Sequence, residues 1–117
     1  MNQHEKIYLV NFKTEQNADT GERVTVIDNL KSYIAIKDIV GIQTQAVVQA
    51  RNIKANYSFE IMRIYYNDEM YLGCKEQLYE IQNISKAKNP NNLLLVVSVC
   101  KDAEKINAYL GWRNENL

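Results

Sequence analysis

Short segments rich in β-branched and aromatic residues recur along this chain, and residues that favour tight turns separate them. These segments predict strands over 6–13, 23–27, 30–39, 57–66, 69–74, 77–84 and 93–100. Short strands joined mostly by tight turns favour a small antiparallel barrel or sandwich of about six strands. The predicted fold class is therefore mainly β.

Two of these segments also carry information about burial. In 6–13 the odd positions Ile7 and Leu9 form one apolar face, and positions 8, 10 and 12 form another, which predicts a strand with two useful faces. The run 93–97 is apolar without a break, which predicts burial on both faces of the last strand.

The segment 42–56 differs in kind from the rest of the chain. Its apolar residues fall at helical spacing and alternate with amides, which is typical of a short amphipathic helix. A long loop between the second and third core strands fits the same composition. Both interpretations stay open.

A short helix is predicted after the last strand. Asp102 is a suitable N-cap, Ala103, Ile106, Tyr109 and Leu110 lie on one side, and Gly111 is expected to stop the helix. This tail, with Trp112, is predicted to pack on the barrel or on a neighbouring molecule.

The chain has 117 residues and equal numbers of basic and acidic residues, 14 of each, so its formal net charge at pH 7 is zero. This length predicts one domain over 1–117, with a core at about 6–100 and a C-terminal extension over 101–117. Charge neutrality argues against a protein that grips nucleic acid through its phosphates. The longest apolar run is five residues and the N-terminus is polar, so neither a membrane span nor a secretory signal is expected.

No residue pattern predicts catalysis, a cofactor or a metal site. The serines lack the glycines of a nucleophile elbow, the glycines are isolated, and His4 lies in the N-terminal segment. Cys74 and Cys100 have no metal-binding spacing, and two reduced, half-buried thiols are expected in preference to a disulfide. The carboxylates in strands and turns, including Glu60, Asp68 and Glu69, are expected to serve solubility. We therefore expect a protein that is not an enzyme.

The tyrosines allow two interpretations. Tyr57 and Tyr65 could stack on bases beside Arg63, as in a small β-barrel module that binds single-stranded nucleic acid. Tyrosines at a period of two in strands more often contribute to core or interface packing.

Taken in order, the segments resemble the head-completion proteins of long-tailed phages, also called head-closure, stopper or head-tail joining proteins. The resemblance spans about 6–100. It rests on the first strand, the glycine-bearing hairpin around 19–22, the alternating strand 32–39, the Gln/Ala-rich segment 45–51, the strand 57–66 and the hairpin 70–81 that ends in Tyr-Glu-Ile. Each segment is a weak signal alone, and their order carries the inference.

This resemblance implies a structural protein of the phage neck, without catalysis, located in the virion and assembled in the host cytoplasm. It implies a six-fold ring of identical subunits that closes the DNA-filled head, with portal or adaptor protein above and a tail-terminator or tail protein below. Packaged double-stranded DNA would pass through the ring without specific binding, and no membrane is involved. A tail-completion or tail-terminator ring is the alternative within the same class.

The resemblance also assigns residues to surfaces. The connection between the second and third core strands faces the channel in that family, which maps to Gln43, Thr44, Gln45, Gln49, Arg51, Asn52 and Lys54. The residues expected to pack against other subunits or partners are Tyr57, Tyr65, Tyr66, Tyr109 and Trp112.

Overall fold

The computed structural model describes residues 3–39 and 57–117. These residues form a closed barrel of six antiparallel strands with one C-terminal α-helix, which confirms the predicted fold class. Around the barrel the order is β1-β2-β3-β6-β5-β4, and β4 pairs with β1 to close it. The elements are β1 (Gln3–Gln16), β2 (Arg23–Ile39), β3 (Tyr57–Met62), β4 (Tyr71–Cys74), β5 (Gln77–Lys86), β6 (Asn92–Val99) and α1 (Ala103–Asn116).

Strands β1 and β2 form one long hairpin, with Gln3 opposite Lys37 at one end and Gln16 opposite Arg23 at the other. The sequence predicted two strands, 23–27 and 30–39, where the structure has the single strand β2. The register shifts where Asn11 faces Asn29 and the next residue, Phe12, faces Ile27. A β-bulge at this point accommodates the extra residue of β2 and lets the strand continue.

The barrel interior is filled by alternate residues of the strands. Ile7 and Leu9 of β1 are fully buried there. The other buried members of this cluster are Ala35, Phe59, Ile61, Leu72, Cys74, Tyr79, Leu95 and Val97. Burial of side chains of this size stabilises the fold by roughly 1.5–3 kcal/mol each, so this cluster is the main source of barrel stability.

The second face of β1 is buried as well. Tyr8 and Val10 point away from the barrel interior and form a second cluster with Leu78, Cys100 and Tyr109 of α1. The Trp112 ring packs edge-on against the Tyr8 ring, with 5.1 Å between the centroids. The helix therefore packs on the barrel of its own chain.

Helix α1 begins where the sequence predicted and extends further. Asp102 caps it, because its carboxylate accepts hydrogen bonds from the backbone N–H groups of Glu104 and Lys105. The expected stop at Gly111 is wrong, since the helix continues to Asn116. A glycine inside a helix costs only about 1 kcal/mol of stability. Packing of the next residue, Trp112, against Tyr8 offsets that cost.

The predicted strand 57–66 is also too long. Strand β3 ends at Met62, and Arg63–Tyr65 form a single turn of 3-10 helix. The partner strand β6 begins at Asn92, opposite Met62, so the residues after Met62 have no residue of β6 to pair with. The N–H of Arg63 instead donates to the carbonyl of Asn91, at 2.8 Å.

Both cysteines are free thiols, which confirms the prediction of reduced residues, and both are more deeply buried than expected. Burial raises the pKa of the Cys74 and Cys100 thiols. The reactive thiolate form is disfavoured at neutral pH, so these residues act as small apolar groups in the packing.

Gly73 of β4 lies directly against the Tyr109 ring of α1. A Cβ atom at Gly73 would lie 2.4 Å from the Tyr109 ring, far inside van der Waals contact. The Tyr109 hydroxyl donates to the carbonyl of Lys75, at 2.7 Å, and Lys75 has a left-handed backbone with a φ of 56°. The Tyr109 ring therefore requires a glycine at position 73, and its hydroxyl stabilises the β4–β5 turn through the hydrogen bond to Lys75.

We expect Gly73→Ala to destabilise the protein by roughly 1–3 kcal/mol, because the added methyl group overpacks the contact with Tyr109. Gly111→Ala is the matched control, since nothing lies within 4 Å of a Cβ there. That change should stabilise the protein by about 0.5–1 kcal/mol, because alanine favours the helix. Urea unfolding midpoints measure both. Equal stability of Gly73→Ala and the wild type would contradict the packing described.

Alkaline pH should unfold the protein through its buried tyrosines. Burial raises the pKa of Tyr79 and of Tyr109 from 10.0 to about 12. Their stabilising contribution is complete below pH 10 and is lost as the pH rises from 10 through 12. Tyrosinate absorbance should show a late phase that coincides with loss of the near-ultraviolet circular dichroism signal, and Tyr109→Phe should reduce this phase. A late phase without loss of that signal would refute the prediction.

Candidate interaction surface

The exposed large apolar side chains of the described residues concentrate around one turn. Of the nine such side chains, five lie at or beside this turn: Met62, Ile64, Tyr65, Met70 and Ile84. We call these five side chains the turn face. Ile64 is 78% exposed and Met70 is 65% exposed. Exposed apolar side chains grouped in this way are typical of a surface that meets another protein.

Hydrogen bonds hold the turn in one conformation. The Tyr66 hydroxyl donates to the carbonyl of Glu69 at 2.8 Å, and the N–H of Asn67 donates to the Glu69 carboxylate at 2.6 Å. Asp68, between them, has a left-handed backbone with a φ of 61°. The N–H of Met70 then donates to the Asn11 side chain of β1, at 3.0 Å. The segment from Tyr66 to Met70 is thus tied to itself and to the barrel.

Two shallow recesses flank the turn. One, of about 330 Å³, is lined by Met62, Arg63, Ile64 and Asn91. The other, of about 350 Å³, lies between the turn and the bulged part of β5, and we call it the Glu69 recess. Its lining residues are Tyr66, Glu69, Met70, Ile81, Gln82, Asn83 and Ile84.

The two recesses differ in charge. Glu69, which is only 3% exposed, lines one recess, whereas the exposed Arg63 lines the other. Burial raises the pKa of the Tyr66 hydroxyl, and the nearby Asp68 and Glu69 carboxylates raise it further. The hydroxyl is therefore a stable proton donor to the Glu69 carbonyl at neutral pH.

Two of the tyrosines predicted to contact partners, Tyr65 and Tyr66, lie at this turn, and Tyr57 lies at the other end of β3. The three differ in exposure. The Tyr65 ring is partly exposed and stacks on Tyr33, with centroids 4.5 Å apart. Tyr66 is half-buried and packs against the interior cluster. The Tyr57 ring is covered by Lys37, whose ammonium lies 4.2 Å from its centroid. Of the three, Tyr65 has the most exposed side chain.

The other two predicted contact residues belong to internal packing. Tyr109 is fully buried beneath α1, so its ring cannot meet a partner while the helix is docked. Trp112 is half-buried against Tyr8. The predicted channel residues Gln43, Thr44, Gln45, Gln49, Arg51, Asn52 and Lys54 lie outside the described residues.

Sequence reasoning missed Ile64, Met70 and Glu69. Ile64 was assigned to a continuous strand, where an apolar residue is expected to be buried. Glu69 was assigned to solubility, yet its carboxylate is buried and caps the turn. The dipeptide Asn67-Asp68 favours a turn. It does not indicate that the Glu69 carboxylate accepts a hydrogen bond from the N–H of Asn67.

In 3–39 and 57–117, no three His, Cys, Asp or Glu side chains form a group that could hold a metal ion. Within the same ranges no helix has the length and apolar character needed to cross a membrane. Comparisons with protein-family models, with curated proteins and with solved structures found no match.

We expect Tyr66→Phe to destabilise the protein by about 1 kcal/mol, because it removes the hydroxyl that donates to the Glu69 carbonyl. The matched control is Tyr65→Phe, whose hydroxyl makes no hydrogen bond among the described residues. That change should alter the free energy of unfolding by less than about 0.5 kcal/mol. Urea denaturation compares the two variants. Equal losses in both would contradict the hydrogen-bonded turn.

Proposed function

We propose that this protein is a non-enzymatic component of a phage neck. It assembles into a ring beneath the portal or adaptor protein, closes the DNA-filled head and provides the surface to which the tail attaches. The observation that carries the proposal is the closed barrel built from the ordered segments on which the resemblance rests. The order of elements along the chain is the β1–β2 hairpin, then β3, then the β4–β5 hairpin. The segments that carry the resemblance have the same order.

The turn face supports a role in contact with other protein chains. Five apolar side chains are exposed on or beside a turn that hydrogen bonds hold in place. A preformed apolar surface loses little conformational entropy when a partner covers it. In the proposed ring this face lies against a neighbouring subunit or an adjoining neck protein.

The long hairpin supports the same role. Beyond the barrel, Asn11–Gln16 of β1 pair with β2 alone among the described residues, so the other side of this strand carries no ladder. Unpaired strand edges promote association between chains, and a ring can use them for contacts between subunits. The molecule is correspondingly elongated, with a longest dimension of 51 Å.

The charge of the chain fits a conduit for DNA. A net charge of zero permits packaged double-stranded DNA to pass without a strong attraction to phosphates. The residues 43–54 named above line the channel in this proposal. The protein acts in the virion after assembly in the host cytoplasm.

The experiment is deletion of the coding sequence from the genome that carries it, followed by electron microscopy of the particles. We expect tail-less heads that have lost DNA, free tails, and restoration of complete particles by wild-type protein supplied in trans. Ile64→Glu supplied in trans should fail to restore them although it folds, since Ile64 is exposed. DNA-filled heads joined to tails in the deletion would refute the proposal.

The same particles distinguish a tail-terminator ring from a head-closing ring. A head-closing protein copurifies with tail-less heads that retain DNA when the tail genes are deleted. A tail-terminator protein copurifies with free tails when the head genes are deleted. The second result alone would assign the protein to the tail.

A further inference from the structure

The Glu69 recess contains a buried charge with an incomplete set of partners. One carboxylate oxygen accepts a hydrogen bond from the N–H of Asn67, at 2.6 Å. In the part of the chain that the structure describes, lysines make the ion pairs, with Glu5, Glu15, Asp28 and Asp102, and no lysine or arginine pairs with Glu69. A buried carboxylate is costly unless a cation pairs with it.

The walls of the recess select the kind of cation. The Tyr66 ring, Met70 and Ile84 provide apolar surface around the carboxylate. The β5–β6 register shifts between Ile81 and Asn83, and this bulge leaves Gln82 beside the recess. The recess is thus a partly apolar slot of about 350 Å³ with one acidic residue in its lining.

Neutral amides complete the polar lining. The side-chain nitrogen of Gln82 donates to Ser98 at 2.8 Å, and that of Asn83 donates to Ser85 at 3.3 Å. The Gln82 nitrogen also donates to Glu80, at 3.2 Å, so both of its N–H groups are engaged and its carbonyl oxygen is the group left for a ligand. A donor-rich cation can therefore be bound by a carboxylate and by an amide oxygen together.

We propose that the Glu69 recess binds an arginine side chain presented by a partner protein. The guanidinium is planar, weakly hydrated and rich in donors, which suits a carboxylate inside a partly apolar slot. Its methylene stem packs on Met70 and Ile84, and its plane faces the Tyr66 ring. A metal ion is a poorer fit, because the recess offers a single carboxylate. This inference rests on the recess and not on the neck role.

The test is an NMR titration of the ¹⁵N-labelled full chain with N-acetyl-arginine amide, followed at the backbone amides of Asn67 and Met70. We expect saturable shifts at both amides. N-acetyl-citrulline amide has nearly the same shape and no charge, so it should cause no saturable shift. Equal shifts with the two probes, or no saturable shift with the arginine probe, would overturn the proposal.

Variants separate the carboxylate from general charge effects. Glu69→Gln keeps an oxygen that can accept the hydrogen bond from Asn67, and it should weaken binding of the arginine probe by at least about tenfold. Glu76→Gln, which removes one charge from the exposed β4–β5 turn and lies outside the recess lining, should leave binding unchanged. Unchanged binding by Glu69→Gln, or equal losses in both variants, would overturn the proposal.

A third variant keeps the test independent of folding at position 69. Asn83→Arg places a guanidinium of the protein itself beside the recess and leaves Glu69 intact. It should abolish the saturable shifts by occupying the site. Binding as strong as that of the wild type would show that the arginine probe binds elsewhere and would contradict the proposal.

Discussion

Burial of both faces of β1 between Ile7 and Val10 is the constraint on which the rest of the structure depends. Ile7 and Leu9 belong to the barrel interior, and Tyr8 and Val10 belong to the cluster beneath α1. The same four residues pair with β4 and close the barrel. A polar residue at any of these positions would leave an unsatisfied group in one of the two clusters, so one short segment couples barrel closure to helix docking.

This coupling explains how a small chain can present a defined surface. The turn face is attached to the central strand through the hydrogen bond from Met70 to Asn11, next to Val10. The other end of the turn is attached through Arg63 to the carbonyl of Asn91. Because both ends are fixed to the barrel, the exposed apolar side chains keep their places without a partner. Such a surface is suited to assembly, in which geometry matters more than reactivity.

The fold was largely predictable from the sequence because strand alternation, turn residues and the unbroken apolar run at 93–97 agree with one another. Two of the errors in element bounds have a common cause. Strand 57–66 ends early because its partner begins at Asn92, and α1 passes Gly111 because Trp112 finds a packing site on Tyr8. Both depend on contacts between segments distant in sequence. The burial of Glu69 was hidden for the same reason, since only the folded turn and the β5 bulge enclose its carboxylate.

A barrel fold alone assigns no function, so the neck role depends on where the protein lies in an assembled particle. The most direct measurement is electron cryomicroscopy of purified particles made by the genome that encodes it. The account predicts a ring of copies between portal and tail, with density that fits the barrel, α1 and the long hairpin, and with the turn face covered by protein. Absence of the protein from complete particles that contain DNA and carry tails would contradict it.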